Sequence, residues 1–420
     1  MKKRNLFMGL LSLTLAFGLA GCGSKGAKGD KGDKGDKGDK GDAGVAATQY
    51  YPVVFRDAEG YILDADYVEK GKNATYHVEE PEKNFYDKNG DWLGYYVFKG
   101  WDKSLENIQA PTTITPLYST YGRDEDKIYF GCYPQKEVND TDMIAELNDL
   151  AGDLPTSTNK KAWTDYNYYI SHQVTSYMYY QDIDYNDDGE YDYRGVYFTQ
   201  YRPIYTGAES DTSYARQDDN GYLINTVYWF EYNYIEWDIL EEKDGKALLL
   251  ANLALDAMEF YNSEDDAKID HNGGNGYPND YELSNVRKFL LEDFYNNVFN
   301  ALEKELIQEV TVDNSAESTG DATNTYYCED TQDKLFLLSV KEVTKYIDED
   351  DRQTDGTDYA KCQGLQMSTT YSDVTSYYLT RSTCTDDGGA IVCVCDDCSF
   401  GTYLMCDCLY GIRPACWIIL

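Results

Sequence analysis

The chain has 420 residues, of which 75 are acidic and 37 basic, for a formal charge of −38. At ~100–200 residues per domain this length fits about two to four domains, and 42 % hydrophobic with 15 % aromatic residues suffices for packed cores, which excludes wholesale disorder. The acidic surplus repels phosphate backbones, so nucleic-acid binding is excluded as well.

Lys2, Lys3 and Arg4 form a positive start, and Leu6 to Ala20 form an apolar run shorter than the ~20 residues a membrane-spanning helix needs. Residues 1–22 therefore read as an export signal. It ends in Leu19-Ala20-Gly21-Cys22, which resembles the lipobox of bacterial lipoproteins. That resemblance implies that Cys22 carries the lipid, becomes the new N-terminus and holds the protein at the outer face of the cell membrane. The other reading is an ordinary secretory signal with a chance cysteine.

From Gly23 to Ala46 every third residue is Gly, in eight triplets dominated by Gly-Asp-Lys. The period is collagen-like, because only Gly fits the axis of a triple helix. The segment holds no proline, so nothing presets the polyproline II angle. A flexible spacer and a trimerising stalk both remain open, and either reaches roughly 75 Å when extended. Residues 47–420 hold 28 of the basic and 70 of the acidic residues, so the part beyond the spacer is a polyanion.

Residues 52–118 have the pattern of a small β module. Val53-Val54-Phe55, the turn Asp57-Ala58-Glu59-Gly60 and Tyr61-Ile62-Leu63 predict a hairpin, and a second turn at Asn89-Gly90 precedes Tyr95-Tyr96-Val97-Phe98. The stretch Phe98-Lys99-Gly100-Trp101-Asp102 with Thr113-Ile114-Thr115-Pro116-Leu117-Tyr118 resembles the Listeria–Bacteroides B repeat. That resemblance implies a β-grasp-like, all-β module of bacterial surface proteins, with Phe98 and Trp101 in its core.

Residues 127–420 predict a large α+β domain with an insertion at about 140–225, so the chain as a whole reads as multidomain. The domain opens with Ile128-Tyr129-Phe130-Gly131-Cys132-Tyr133-Pro134-Gln135 and resumes at Tyr228-Trp229-Phe230, with Ile235 to Leu240 alternating as a half-buried strand. Lys246–Ala251, Lys334–Leu338 and Ala390–Cys395 read as further strands. Ser284 caps a helix whose Val286, Phe289, Leu290 and Phe294 share a face, a second helix surrounds Leu302 and Leu306, and Ser339-Val340-Lys341-Glu342 is a capping box.

The start Phe-Gly-Cys-Tyr-Pro-Gln, Thr357 to Ala360, Tyr377 to Ser382 and the end Gly411-Ile412-Arg413-Pro414-Ala415 together resemble a bacterial extracellular domain family of unknown function. The closing strands also resemble the C-type-lectin-like fold. Arg381 and Arg413 are scarce cations here and read either as buried partners of carboxylates or as clasps for a bidentate anion.

Ten cysteines follow Cys22, crowded toward the end. Cys393, Cys395, Cys398, Cys406 and Cys408 are candidates for disulfides on facing strands or for a zinc site, and unpaired thiols are a third reading. Asp184-Tyr185-Asn186-Asp187-Asp188-Gly189-Glu190-Tyr191-Asp192 places oxygens at alternate positions around a Gly, the layout of a calcium loop. Asp184, Asn186, Asp188, Glu190 and Asp192 are the expected ligands; the bland reading is a polar turn. His77, His172 and His271 sit in different segments beside no nucleophile or metalloprotease motif, so no catalytic residues are expected. The expectation is a cell-surface lipoprotein that displays binding or adhesion modules toward glycans or proteins. A secreted glycan hydrolase using a carboxylate pair, or a structural surface component, are the alternatives.

Overall fold

The computed structural model describes residues 47–156, 158–166, 178–201, 216–261, 276–368, 375–404 and 409–420. Cys22, the Gly-rich segment 23–46, His172, His271, Cys406 and Cys408 lie outside the described residues. The protein is mostly β-sheet with few helices, and its strands form several sheets.

Strand β1 (Tyr50–Arg56) turns through Asp57–Gly60 into β2 (Ile62–Glu69), the hairpin its alternating pattern predicts. Next come β3 (Lys83–Tyr86), β4 (Trp92–Trp101), β5 (Thr112–Ile114) and β6 (Pro116–Asp124). β5 pairs parallel with β1, giving a three-stranded sheet ordered β2-β1-β5. Its apolar face joins Val53, Phe55, Val68, Ile108 and Ile114. The rings of Phe55 and Trp101 meet edge to face at 4.9 Å, and Phe98 packs on Trp101 at 5.2 Å.

β3, β4 and β6 belong to a second sheet. Through the pairing of β6 with β7 (Lys127–Glu137), that sheet runs on into the large C-terminal part. After β7 the chain leaves the sheet for helix α1 (Thr141–Ala151), β8 (Thr164–Asp165), β9 (Met178–Ile183), β10 (Tyr193–Phe198) and the short α2 (Arg216–Asp219). It returns as β11 (Val227–Lys243), which pairs antiparallel with β7 from Phe230–Glu137 to Asp238–Lys127. Residues 140–225 are thus inserted between two neighbouring strands. β10 pairs with β11, and β9 and β8 follow outward.

β12 (Lys246–Ala251) and β13 (Asp256–Met258) come next, then α3 (Asn285–Lys288), a π-helical turn at Phe289–Phe294 and α4 (Tyr295–Val298). Ser284 caps this helical stretch by accepting from Arg287 N, and Val286, Phe289, Leu290 and Phe294 are all buried. α5 (Ala301–Leu306) carries a capping box from Asn300 and Glu303, and α6 (Val340–Tyr346) carries the box read at Ser339 and Glu342. Between them lie β14 (Ile307–Gln308), β15 (Val310–Val312) and β16 (Thr331–Asp333). Lys334–Leu338 is not a strand but makes one bridge, Phe336 to Ala415; beyond it the Leu337 carbonyl accepts from the Arg381 side chain and the Leu338 carbonyl from the Arg381 backbone N–H.

The chain closes with α7 (Asp358–Cys362), β17 (Tyr378–Thr383), β18 (Ala390–Val394), β19 (Phe400–Leu404), β20 (Tyr410–Ile412) and β21 (Ala415–Ile419). β12, β21 and β14 complete the eleven-stranded sheet, while β13-β20-β17-β18-β19 form a five-stranded one. The main core fills the space between them, with Trp237 stacked on Phe130 at 5.2 Å and donating Nε1–H to the Phe130 carbonyl. No described helix is long and apolar enough to cross a membrane.

Candidate functional site

β7 carries two bulges, and they shape one wall of a recess. Tyr234 faces Cys132 while Ile235 faces Phe130, which leaves Gly131 as the extra residue with φ 69°. A Cβ there would lie 2.6 Å from the Phe299 ring, so only glycine fits. The second bulge spans Gln135, beside Pro134, which has no N–H to give the ladder. Between the two, Tyr133 is turned off the regular strand and donates its hydroxyl to Asp256 Oδ2 at 2.5 Å.

Around this pair lies a cavity of about 60 Å3, several times the ~10–15 Å3 that one water requires. Five tyrosines line it: Tyr133, Tyr166, Tyr180, Tyr232 and Tyr359. Arg194, Asp256, Asp293, Asn297 and Gln363 supply polar groups, and Met178, Met258, Phe289 and Phe294 the apolar floor. The π-helical turn contributes Phe289, Asp293 and Phe294 from one wider coil, a distortion common at functional sites.

Arg194 on β10 stands opposite Asp182 on β9. Its Nε and Nη2 donate to the two carboxylate oxygens at 2.7 and 2.8 Å, and the Tyr232 hydroxyl donates to Asp182 Oδ1 at 2.9 Å. Arg194 Nη1 donates to the Tyr359 hydroxyl at 3.3 Å, and the guanidinium lies 4.4 Å from the Tyr180 ring centroid. The Tyr166 and Tyr359 hydroxyls share a 2.8 Å hydrogen bond, and Gln363 Nε2 donates to Tyr166. Burial opposes the charge of Arg194, but the Asp182 carboxylate outweighs it and lifts the guanidinium above its ordinary range. Burial raises Tyr133, Tyr166, Tyr232 and Tyr359 well above ordinary tyrosine, so all four stay neutral and act as donors and acceptors. The result is a rigid aromatic wall with fixed polar groups, which suits a polar ligand with flat apolar faces.

Tyr359 is placed by the Thr357-Asp358-Tyr359-Ala360 stretch. Thr357 Oγ1 accepts from Ala360 N, which starts α7, and Asp358 Oδ2 accepts from Glu137 N, which ties the helix to β7. Sequence reasoning picked out the two stretches that hold Tyr133 and Tyr359 without assigning either a site role, and it missed Tyr166, Tyr180, Arg194, Tyr232, Asp256 and Asp293. A cation within an acidic insertion was the available signal for Arg194.

The Asp-rich loop closes the same β9–β10 hairpin. Asp184 accepts from Asp188 N and Gly189 N, Asn186 Oδ1 from Asp188 N, Asp188 from Glu190 N, and Asp192 Oδ2 from Tyr185 N and Asn186 N. Glu190 is exposed. Lys88, from the β3–β4 turn, donates Nζ to the Tyr191 carbonyl at 2.8 Å and lies 3.4 Å from Asp192 and 3.8 Å from Glu190. Among the described residues no group of three or more His, Cys, Asp or Glu side chains is gathered as a metal set.

Arg381 is buried. It donates to Glu342, to Asn314 Oδ1 at 3.2 Å and to the carbonyls of Leu337 and Asp313 at 2.6 and 3.1 Å. Arg413 donates to the Ala251 carbonyl at 2.7 Å and to Asp238 at 3.2 Å. Among the described cysteines, Cys132, Cys328, Cys362, Cys384, Cys395, Cys398 and Cys416 are free thiols. Cys395 Sγ lies 3.5 Å from the Tyr403 hydroxyl, and Cys398 donates to the Asp350 carbonyl. Burial pushes the Cys132 thiol up to about 12 and raises Cys328, Cys362 and Cys416 as well, so none of these four is a poised nucleophile.

Residues 244–420 match the model of a family described as Domain of unknown function (DUF6273). No curated protein and no solved structure matches the chain. The matched segment supplies Asp256, Phe289, Asp293, Asn297, Tyr359 and Gln363 to the recess, whereas Tyr133, Tyr166, Tyr180, Arg194 and Tyr232 precede it.

Proposed function

We propose that the chain is an exported, lipid-anchored binding protein whose tyrosine-lined recess takes a residue of an extracellular glycan. The observation that carries this reading is the recess itself, with five tyrosines and two carboxylates beside a braced arginine. Sugar rings have apolar faces that stack on aromatic side chains and hydroxyls that seek carboxylates and amides. In this reading Cys22 bears the lipid, the Gly-x-y spacer lifts the rest off the membrane, residues 52–118 act as a β-grasp-like display module and residues 127–420 form the α+β binding domain. The Asp-rich loop takes calcium and so braces the hairpin that presents Tyr180, Asp182 and Arg194. An array of neutral and acidic oligosaccharides tests it: the full chain should retain at least one, and Tyr180→Ala should weaken that binding at least tenfold. No retained glycan, or equal retention by the variant, overturns the reading.

Asp256 and Asp293 in one recess favour a second reading, a glycan hydrolase with a carboxylate pair. Release of reducing sugar from a polysaccharide by the full chain, abolished by Asp256→Asn and by Asp293→Asn, would establish it instead.

A further inference from the structure

A second cavity, of about 170 Å3, lies where the turn between β3 and β4 meets β7, β11 and the chain after β12. At ~10–15 Å3 for one water it has room for roughly ten. Tyr129 and Tyr234 form its flat wall. Phe85 backs both rings, at 6.4 and 4.9 Å, and it fits there because Gly122 has no Cβ, which would lie 2.2 Å from the Phe85 ring. Leu93, Leu253 and Leu255 supply an apolar side.

The polar lining is rich in acceptors. Asp87 Oδ1 accepts from Asn89 N and Asp91 N and closes the β3–β4 turn, which leaves Oδ2 unspent. Gln135 Nε2 donates to the carbonyls of Asn233 and Tyr234 at 2.9 and 3.1 Å, in place of the N–H that Pro134 lacks, so Oε1 is its free end. Asn252 Nδ2 donates to Glu236 Oε1 at 2.8 Å, which leaves Asn252 Oδ1 and Glu236 Oε2. The Asn233 side chain and both tyrosine hydroxyls make no hydrogen bond among the described residues. Carbonyl and carboxylate oxygens of Asp87, Gln135, Asn233, Glu236 and Asn252 are thus all unspent, while only Asn233 and Asn252 keep amide hydrogens to give.

The charges around the cavity do not cancel. Lys127 pairs with Glu236 at 3.1 Å and with Asp238, whose other oxygen takes Arg413 at 3.2 Å, so those four groups sum to zero. Lys88, next to Asp87, is turned to Tyr191, Asp192 and Glu190 of the Asp-rich loop. Asp87 has no cationic partner among the described residues, which leaves one negative charge in excess. Burial raises both tyrosines above their ordinary range; Glu190 and Glu303 add to this at Tyr234, and Glu236, Asp124 and Asp126 add to it at Tyr129 against Lys127. Both hydroxyls therefore stay neutral in acidic surroundings.

We propose that this cavity binds an alkylammonium group, with Asp87 and the amide oxygens around the nitrogen, the Tyr129 and Tyr234 rings beside the charge and the leucines along the methylenes. An ammonium brings three donors and no acceptor, and aromatic faces attract it. A sugar hydroxyl brings an acceptor with every donor and leaves the excess charge unmet. An anion is repelled. This site does not depend on the glycan reading of the recess.

n-Butylamine at pH 7, where it is protonated, is the probe, titrated calorimetrically into the full chain while sodium chloride holds the ionic strength constant. One molecule should bind per chain, and n-butanol, which has the same stem without the charge, should bind at least tenfold more weakly. Asp87→Asn keeps the Oδ1 acceptor of the turn but removes the charge, and it should weaken butylamine at least tenfold. Tyr234→Leu keeps the charge but removes a ring, and it should weaken butylamine at least threefold. Nα-acetyl-lysine amide in place of butylamine separates the two sources of such a group: tighter binding places the ammonium on a peptide and weaker binding on a free amine, and either supports the site. No saturable binding of butylamine, or equal binding by the wild type and Asp87→Asn, overturns the site. Equal binding of n-butanol, or tighter binding of methyl glucoside than of butylamine, overturns the ammonium assignment.

Discussion

Asp182→Asn isolates what holds the recess together. Asp182 accepts from Arg194 Nε at 2.7 Å, Arg194 Nη2 at 2.8 Å and the Tyr232 hydroxyl at 2.9 Å. Both ion-pair side chains are 12 % exposed, so little solvent screens the charge left on Arg194. Removing one partner of a buried pair costs ~3–5 kcal/mol, and the amide keeps only one of the acceptors, so the lower end, about 3 kcal/mol, is expected. At the specific unfolding entropy of globular proteins, that lowers the melting temperature of a unit of this size by roughly 4 °C. The double variant Asp182→Leu/Arg194→Met leaves no buried charge, so it should lie within about 1 kcal/mol of the wild type. Urea unfolding of wild type, Asp182→Leu, Arg194→Met and the double variant closes the cycle. If the double variant is as unstable as Asp182→Asn alone, packing rather than charge compensation dominates and the reasoning is wrong. The double variant should still lose ligand retention, because the donor that reaches the Tyr359 hydroxyl is gone.

Gly131→Ala should cost about 3 kcal/mol, combining a left-handed backbone with a Cβ driven into Phe299; a shift in urea midpoint worth less than 1 kcal/mol would contradict the bulge geometry. Alkali should unfold the protein, because the thiols of Cys132, Cys328, Cys362 and Cys416 and several tyrosines have folded pKa values raised by burial. Groups raised in the fold contribute stability that is full below their unfolded values, ~8.5 for thiols and ~10 for tyrosine, and lost as pH rises toward the folded ones; unchanged stability from pH 8 to 11 in denaturant melts would refute this. With its thiol at about 12, Cys132 should alkylate at pH 8 at least a hundredfold more slowly than a free cysteine, as mass spectrometry of iodoacetamide-treated protein can check. Millimolar calcium should raise the melting temperature of the wild type but not of Asp184→Ala/Asp188→Ala, and Lys88→Met, which removes the ammonium at Tyr191 and Asp192, should tighten calcium; equal shifts in all three proteins would dismiss the loop as a calcium site.

What the sequence made legible is local. The turn at Asp57–Gly60, the cap at Ser284 and the box at Ser339 and Glu342 each depend on residues within four positions of one another, and each forms as read. The strand patterns at Phe130 and at Tyr228 to Phe230 were legible too, and the two strands that hold them pair with each other. The recess was not. Tyr133 and Asp256 lie 123 positions apart, and Tyr166 and Tyr359 lie 193 apart, so no spacing rule joins them. Tyr133 moreover points into the site only because two bulges turn it there, and a bulge breaks the period-two pattern by which strands are read. Lys334–Leu338 failed for the opposite reason: its apolar run is a strand pattern, but it bridges β21 at Phe336 alone, and its next carbonyl, of Leu337, is taken by the Arg381 side chain instead of a ladder N–H.

The division of the recess between two parts of the chain bears on how such a site acquires its specificity. The segment matching the family supplies one wall, with Asp256, Asp293 and Tyr359, and these are tied into the core through the π-helical turn and α7. The opposite wall, with Tyr166, Tyr180 and Arg194, rides on the inserted strands, which join the sheet through the pairing of β10 with β11. A wall on an inserted hairpin can change in length and sequence without disturbing the strands that flank it, because β7 and β11 pair with each other regardless. The braces on that hairpin, Asp182 on Arg194 and Lys88 on the Asp-rich loop, are then what convert a variable segment into one fixed surface. On the proposed glycan reading, the core wall would supply the polar groups common to such ligands and the inserted wall would discriminate among them.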